Sequence, residues 1–277
     1  GLKEPLHFCG NVLLGEFHYE NKTFKISFNQ TDRIQRIQKI GISGRAMTMH
    51  YHTCGVPLFV NKSAKITTRA MQKYGPYFIP ILVVVDHANY LRFKKNKKSI
   101  ISNVKKYFKS ASEMMKPLGV TLSVADVVIW DKKDEIKIVR SGDATLNNLQ
   151  VYFESKLMAK YQNCVRIAHL LINVKDLDMA GRGFVGSACT LDHAVSFTWT
   201  KYTNYDNVQY TAHELSHNLG MAHDTPACKC GKEKMCTMAM GNKGLGKKWS
   251  DCSLNEYNTV INNQDLDCLK EKLKQCK

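Results

Sequence analysis

Between positions 213 and 224 the chain reads His-Glu-Leu-Ser-His-Asn-Leu-Gly-Met-Ala-His-Asp. His213 and His217 are four residues apart, so on a helix they project from one face, about 5–6 Å apart at Cβ. That spacing lets both imidazoles reach one zinc ion with Zn–N bonds of about 2.0–2.1 Å. Gly220 can take positive φ without steric cost, so the helix can stop and turn there. The turn returns His223 to the same ion as third ligand. Three neutral nitrogens leave a fourth position for water, which is how a catalytic zinc differs from a closed structural one. Glu214 is not needed as a ligand. Its expected role is general base, taking a proton from water as it attacks a carbonyl and passing it to a leaving amine. Two histidines four apart occur by chance on ordinary helices. A glycine and a third histidine at these added positions make coincidence a poor account.

A helix can present such a cluster only if other elements hold it. Phe78–Val85 is an apolar run rich in β-branched residues, which reads as a buried strand. Ser99–Met115 has apolar residues at helical spacing. Val120–Trp130 and Ile167–Val174 read as further strands, and Phe184–Val185 and Ala194–Trp199 as short ones. Asp143 followed by Ala144–Tyr161 reads as an N-capped helix, and Tyr205–Leu219 as the helix carrying the histidines. This alternation predicts an α/β fold with a twisted, mostly parallel sheet. Before it, residues 5–60 alternate short β-type runs with turns, among them Asn11–Leu14, Thr23–Phe28 and Leu58–Val60. Asn61 to Pro76 is polar and basic and reads as an exposed, protease-accessible connector. The expected division is residues 1–73 and 74–277.

The chain has 277 residues, 44% apolar and 23% charged, a globular balance that excludes disordered and collagen-like classes. No apolar stretch reaches the 18 residues a membrane-spanning helix needs. Of the ten cysteines, seven lie from Cys189 onward, and Cys228-Lys-Cys230 is not a two-spacer zinc knuckle. Disulfides in a secreted protein are the better reading. Sequons at Asn21, Asn29 and Asn61 agree with an extracellular glycoprotein. The net charge of +16 is spread along the chain, with its densest run from Arg92 to Lys98. That run reads as the start of a solvated helix, with attraction to heparin-like polyanions as its functional alternative. No aromatic stacking platform or nucleic-acid motif accompanies it.

The histidine segment resembles the metzincins, and within them the reprolysins, the snake-venom and ADAM-type metalloproteases. Asn218 and Asp224 carry that narrower resemblance. So do Cys228-Lys-Cys230-Gly231, Cys236-Thr-Met238 and Trp249-Ser-Asp-Cys252-Ser downstream. Phe78 to His87 resembles the family's first strand, and Gly183 to Cys189 its edge strand. The resemblance implies a metzincin catalytic domain with a small disulfide-rich C-terminal subdomain. It implies a zinc metalloendopeptidase, a hydrolase of protein or peptide substrates, secreted and monomeric. It makes Met238 the Met-turn residue beneath the histidines, with Met235 and Met240 as nearby competitors. Asp224 would turn inward and hold the subdomains together. Substrate would pair along Gly183, Phe184, Val185 and Gly186, and residues 239–248 would line the pocket beyond Met238. The implied disulfides are Cys189–Cys268, Cys228–Cys252 and Cys230–Cys236, which leaves Cys164 and Cys276 to pair. A structural calcium site is not carried over, because Pro80 stands where the family's glutamate is expected and offers no carboxylate.

Residues 1–73 contain His52-Thr-Cys54-Gly55-Val56-Pro57, which resembles the cysteine switch of metzincin pro-segments. A Cys54 thiolate would displace the attacking water and keep a zymogen silent. A Cys9–Cys54 disulfide is the structural alternative. The expected protein is a toxin-like secreted protease carrying the end of its pro-domain. The alternative from another class is a non-catalytic toxin or binding protein on a metzincin scaffold, against which the intact Glu214 and three histidines argue.

Overall fold

The computed structural model describes the backbone of four strands between residues 7 and 42, and residues 75–277 except 191–192, 201–203, 241–244, 263–265, 272 and 277. The chain divides into two compact units, Gly1–Leu58 and Phe59–Lys277. The first holds an antiparallel sheet in sequence order: β1 (His7–Cys9), β2 (Val12–Tyr19), β3 (Lys22–Asn29) and β4 (Ile34–Ile42). Cys54, Leu58–Val60, almost all of the connector and the side chains of Cys9 and the sequons lie outside the described residues.

The second unit is built on a five-stranded sheet in the order β6-β5-β7-β9-β8. Its strands are β5 (Tyr77–Val85), β6 (Val120–Ile129), β7 (Ile167–Ile172), β8 (Gly181–Gly183) and β9 (Val195–Trp199). β6, β5, β7 and β9 are parallel, and β8 runs antiparallel to β9 at the edge. The continuous apolar run of β5 follows from burial on both faces. Ile79, Ile81, Val83 and Val85 enter one core, and Leu82 and Val84 enter the other. The helices are α1 (His87–Arg92), α2 (Lys97–Met115), α3 (Gly142–Tyr152), α4 (Asn204–Asn218) and α5 (Asp251–Asn262). α2, α4 and α5 cover the first face, where Phe108, Met115, Ala212, Leu215, Leu219 and Tyr257 pack. α3 covers the second with Leu146 and Leu149.

Three local expectations are corrected. The cap of α3 is Ser141, whose hydroxyl accepts from Ala144 N; Asp143 lies in the first turn instead. The expected long helix widens into a π turn at Phe153–Leu157 before a last turn at Met158–Tyr161. The lysine run does not begin one helix. Arg92 ends α1, Lys94 and Lys95 turn through φ of 52° and 61°, and Asn96 caps α2.

α4 is buried all round from Asn207 to Leu219, so a polar group on it is costly unless it finds a partner. Tyr107 of α2 donates to Asn207 O at 2.5 Å and meets the Thr211 hydroxyl at 2.6 Å. The Gln209 amide donates to Leu245 O, and Thr198 of β9 meets Thr211 at 2.9 Å. His169 of β7, wholly buried, bonds Ser196 and Thr198 at 2.8 and 3.0 Å. These bonds set the position of α4 over the sheet.

Candidate active site

α4 ends as its sequence requires. Gly220 N donates to His217 O at 2.8 Å and Met221 N to Ser216 O at 3.0 Å, the paired bonds of a Schellman cap. Gly220 has φ of +98°, and a Cβ there would stand 2.8 Å from Val260. The chain turns at this point and brings His223 back. His213, His217 and His223 meet with all three Nε2 to Nε2 distances at 3.1 Å. His213 Nδ1 donates to Thr237 O and His217 Nδ1 to Met221 O, each at 2.7 Å. A carbonyl can only accept, so those Nδ1 atoms carry the protons and the Nε2 atoms present bare lone pairs.

Converging lone pairs repel unless a cation lies among them. The centre of such a 3.1 Å triangle is about 1.8 Å from each corner, less than a Zn–N bond of about 2.0–2.1 Å. The three nitrogens would therefore suit one zinc ion, held by His213, His217 and His223. The donor set fits zinc, and the carbonyls behind His213 and His217 fix tautomer and ring orientation. Burial pushes His213 down to about 4, with the Thr237 carbonyl opposing and His223 adding to the fall. Burial also pushes His217 well below its ordinary range and lowers His223. All three stay neutral at pH 7, as ligands must be. Among the described residues a second cluster, Cys228, Asp251 and Cys252, meets the same spacing, but its two sulfurs are joined in a disulfide.

Glu214 is 4% exposed, and its Oε2 has no hydrogen-bond partner among the described residues. Burial raises its carboxyl to about 8, and the Arg182 guanidinium opposes that rise. An unpartnered buried carboxylate atom is costly in a purely structural residue. The edge strand presses directly on it. A Cβ at Gly181 would lie 2.7 Å from Glu214 Cγ and Oε1, and one at Gly183 would lie 2.7 Å from Glu214 O. The missing side chains are what let β8 approach the helix.

The short strand expected at Phe184–Val185 is corrected: the edge strand is Gly181–Gly183. Of Gly183, Phe184, Val185 and Gly186, Gly183 alone lies within it. Phe184 to Ser187 leave the strand and cap the end of α4. Gly186 N donates to His217 O and Ala188 N to Asn218 O. The Asn218 amide reaches Phe184 O, Ser187 Oγ and Val195 O at 3.0–3.1 Å. Chain closure at a helix end takes precedence there over strand pairing. Gly181, Arg182 and the tying role of Asn218 were not singled out in the sequence. Alternating glycines around one arginine were the available signal.

Met238 is wholly buried, Met235 is half-buried and Met240 is 70% exposed. Met238 follows Thr237, which holds His213, and its own carbonyl accepts from Asp224 N at 2.8 Å. The Asp224 carboxylate accepts from Ser250 and Ser253 at the start of α5, so it ties the loop after His223 to that helix. The disulfides are Cys164–Cys276, Cys189–Cys268, Cys228–Cys252 and Cys230–Cys236. Cys230–Cys236 closes the loop entering Thr237 and Met238. Of the expected pocket wall, residues 241–244 lie outside the described residues. Leu245 packs with Ala180, Tyr210 and Ala239.

A family model described as "Reprolysin (M12B) family zinc metalloprotease" matches residues 77–272. The snake venom metalloproteinase trimerelysin-2 of Protobothrops flavoviridis is 31% identical over 203 residues, covering 72% of this chain and 98% of its own. A solved chain from a chaperone–substrate complex shares the fold at 10% identity and a TM-score of 0.51, over 69% of this chain and 35% of that one. A match across nearly the whole α/β unit, with a relative alike along almost its full length, places the chain in the reprolysin family of zinc metalloproteases.

Proposed function

We propose that the chain is a secreted endopeptidase that hydrolyses extracellular proteins or peptides, with Glu214 as general base and Cys54 holding it latent. The observation that carries this reading is the convergence of three neutral Nε2 atoms at 3.1 Å, with the residue after the first of them, Glu214, holding a buried, unpartnered carboxylate oxygen. Four disulfides support an oxidising, extracellular setting. The venom relative supports a toxin-like role.

His213, His217 and His223 would hold zinc, which when bound would supply Lewis acidity toward a scissile carbonyl and lower the pKa of a water to about 7. With the charge of a bound dication opposing the effect of burial, Glu214 would be ionised, and its carboxylate takes one proton from the attacking water as the water oxygen bonds the carbonyl carbon. The same proton passes to the amine as the C–N bond breaks. The open edge of β8 offers backbone groups to an extended peptide, which gives affinity tolerant of sequence. Thr237 holds His213 through its carbonyl, and Met238 next to it is the Met-turn residue of this reading.

Residues 1–73 act as a pro-segment, removed by cleavage in the basic stretch from Lys62 to Lys73. To test this, the full chain is trimmed there with trypsin, trypsin is inhibited, and cleavage of a peptide library is mapped by mass spectrometry. Activity that a zinc chelator abolishes, and that Glu214→Gln lowers by about 10²–10⁴-fold with zinc retained, is expected. Zinc-loaded trimmed protein that cuts no peptide overturns the reading. Alkylation without reductant tests the latency: a Cys9–Cys54 disulfide overturns the switch.

A polyanion partner is proposed alongside. Lys98, Lys105 and Lys109 are exposed and lie along one line of α2. The single acid of that helix, Glu113, is engaged by Lys116 at 2.6 Å, and Asp131 takes Lys97 at 2.5 Å.

A further inference from the structure

The three residues of β8 face two ways, because successive side chains of a strand alternate. The Cβ positions of Gly181 and Gly183 point at Glu214 on α4. Arg182 therefore points to the opposite face, where α3 begins. There Asp143, in the first turn of α3, holds its Nε at 2.8 Å. The arginine side chain is 36% exposed. Its terminal amino groups have no ion-pair partner among the described residues. β8 pairs with β9 along one side, and no described strand pairs with its other side. The glycines on either side add no side chain, so Arg182 is the one side chain this edge presents.

We propose that Arg182 is a specificity-determining residue, selecting substrates that carry an aspartate or glutamate beside it when the peptide pairs along the open edge of β8. The inference rests on the endopeptidase reading above and goes beyond it by naming a substrate class. Residues directly opposite across antiparallel strands have Cβ atoms about 4.5–5.5 Å apart, and diagonal neighbours stay within reach of a long side chain. A guanidinium is a planar fork that matches a carboxylate with two parallel N–H donors. The Asp143 contact occupies Nε and leaves the terminal pair for the substrate. It also fixes the side chain in advance, so less freedom is lost on binding. The overall charge of +16 draws acidic peptides in the same direction.

The trimmed chain is tested on quenched peptides in which glutamate or glutamine is placed, in turn, at each position from the third before to the third after the cleaved bond. At one position the ratio of kcat/KM for glutamate over glutamine is expected to be about two- to fivefold, the range for a cross-strand charge pair. Arg182→Gln brings that ratio to about one, and Arg182→Glu inverts it. Because both peptides are compared on one preparation, the active fraction cancels, and a variant that folds poorly still reports. A ratio of one at every position in the wild type, or a ratio unchanged in Arg182→Gln, overturns the inference and leaves the endopeptidase standing. Absence of any cleavage by the zinc-loaded wild type overturns both.

Discussion

Replacing Gly181 with alanine puts one methyl group against the proposed general base. The new Cβ would lie 2.7 Å from Glu214 Cγ and Oε1 and 2.8 Å from Phe197 O. Carbon atoms pack at about 3.5–4.0 Å, so the overlap asks for roughly 0.8 Å of movement or more. Phe197 O belongs to the backbone of β9, which is paired on both sides, and it yields less readily than a side chain. Glu214 is the softer partner, and its carboxylate moves. Misplacing a reacting group by about 1 Å costs about 100-fold, within the roughly 10²–10⁴ that a general base contributes. The same overlap costs about 1–3 kcal/mol of stability, or about 2–12 °C in Tm for a domain of this size. The three atoms nearest the new methyl belong to Glu214 and Phe197 and to none of the three histidines, so bound zinc is expected to stay at one per chain. The assays are kcat on a quenched peptide, zinc by elemental analysis and Tm by calorimetry. Gly231→Ala is the control: its φ is +76° with open space around it, so it reports the backbone cost alone. A Gly181→Ala protein with kcat within threefold of wild type refutes the reasoning. A fall in Tm with kcat intact would mean that the strand moved and the carboxylate did not.

Burial pushes His169 down to about 3, so between pH 6.5 and that value the unfolded chain takes up a proton that the folded one refuses. Its contribution is present above pH 6.5 and is lost as pH falls. His169→Gln should therefore lose about 2 kcal/mol less than wild type between pH 7 and pH 5, read from denaturant midpoints; equal losses reject the assignment. Asn218→Ala removes the amide bonded to Phe184 O, Val195 O and Ser187 Oγ and should cost about 2 kcal/mol, while raising KM as the segment after β8 loosens. An unchanged Tm would contradict this. Lys98→Ala with Lys105→Ala and Lys109→Ala should elute from heparin resin at lower salt than wild type with peptide cleavage intact, and identical elution would dismiss the polyanion partner. His223→Ala should lose zinc at micromolar concentrations and with it the stabilisation that ligand binding confers, seen as a Tm no longer sensitive to chelator.

Much of the fold was legible because its signals are local. The run Phe78–Val85 reads as a strand buried on both faces, and β5 is that strand. The apolar spacing of Ser99–Met115 reads as a helix, and α2 extends it by one short step to its Asn96 cap. Ser141 and Asp143 are both good capping residues, and their types alone do not choose between them; the backbone entering α3 does. β4 has apolar residues at 34, 37, 40 and 42, a spacing that does not alternate, so it gave no strand signal. β8 reads Gly-Arg-Gly and has no strand propensity of its own. It is a strand because β9 pairs with it, and its glycines are there because α4 lies so close. The neighbouring Phe184–Val185 looked more like a strand and instead serves to close the helix end.

The identity and spacing of His213, Glu214, His217, Gly220 and His223 were enough to predict a zinc site. Helical hydrogen bonds span four residues, and one glycine supplies the turn, so the whole constellation forms within a single short segment. The tertiary structure decided what surrounds it. Thr237 fixes the His213 ring from 24 residues away, and β8 brings Gly181 and Gly183 against Glu214 from a different part of the chain. Those contacts depend on which strands pair and on how buried polar groups are satisfied, and both are settled by the whole packed domain rather than by any local pattern.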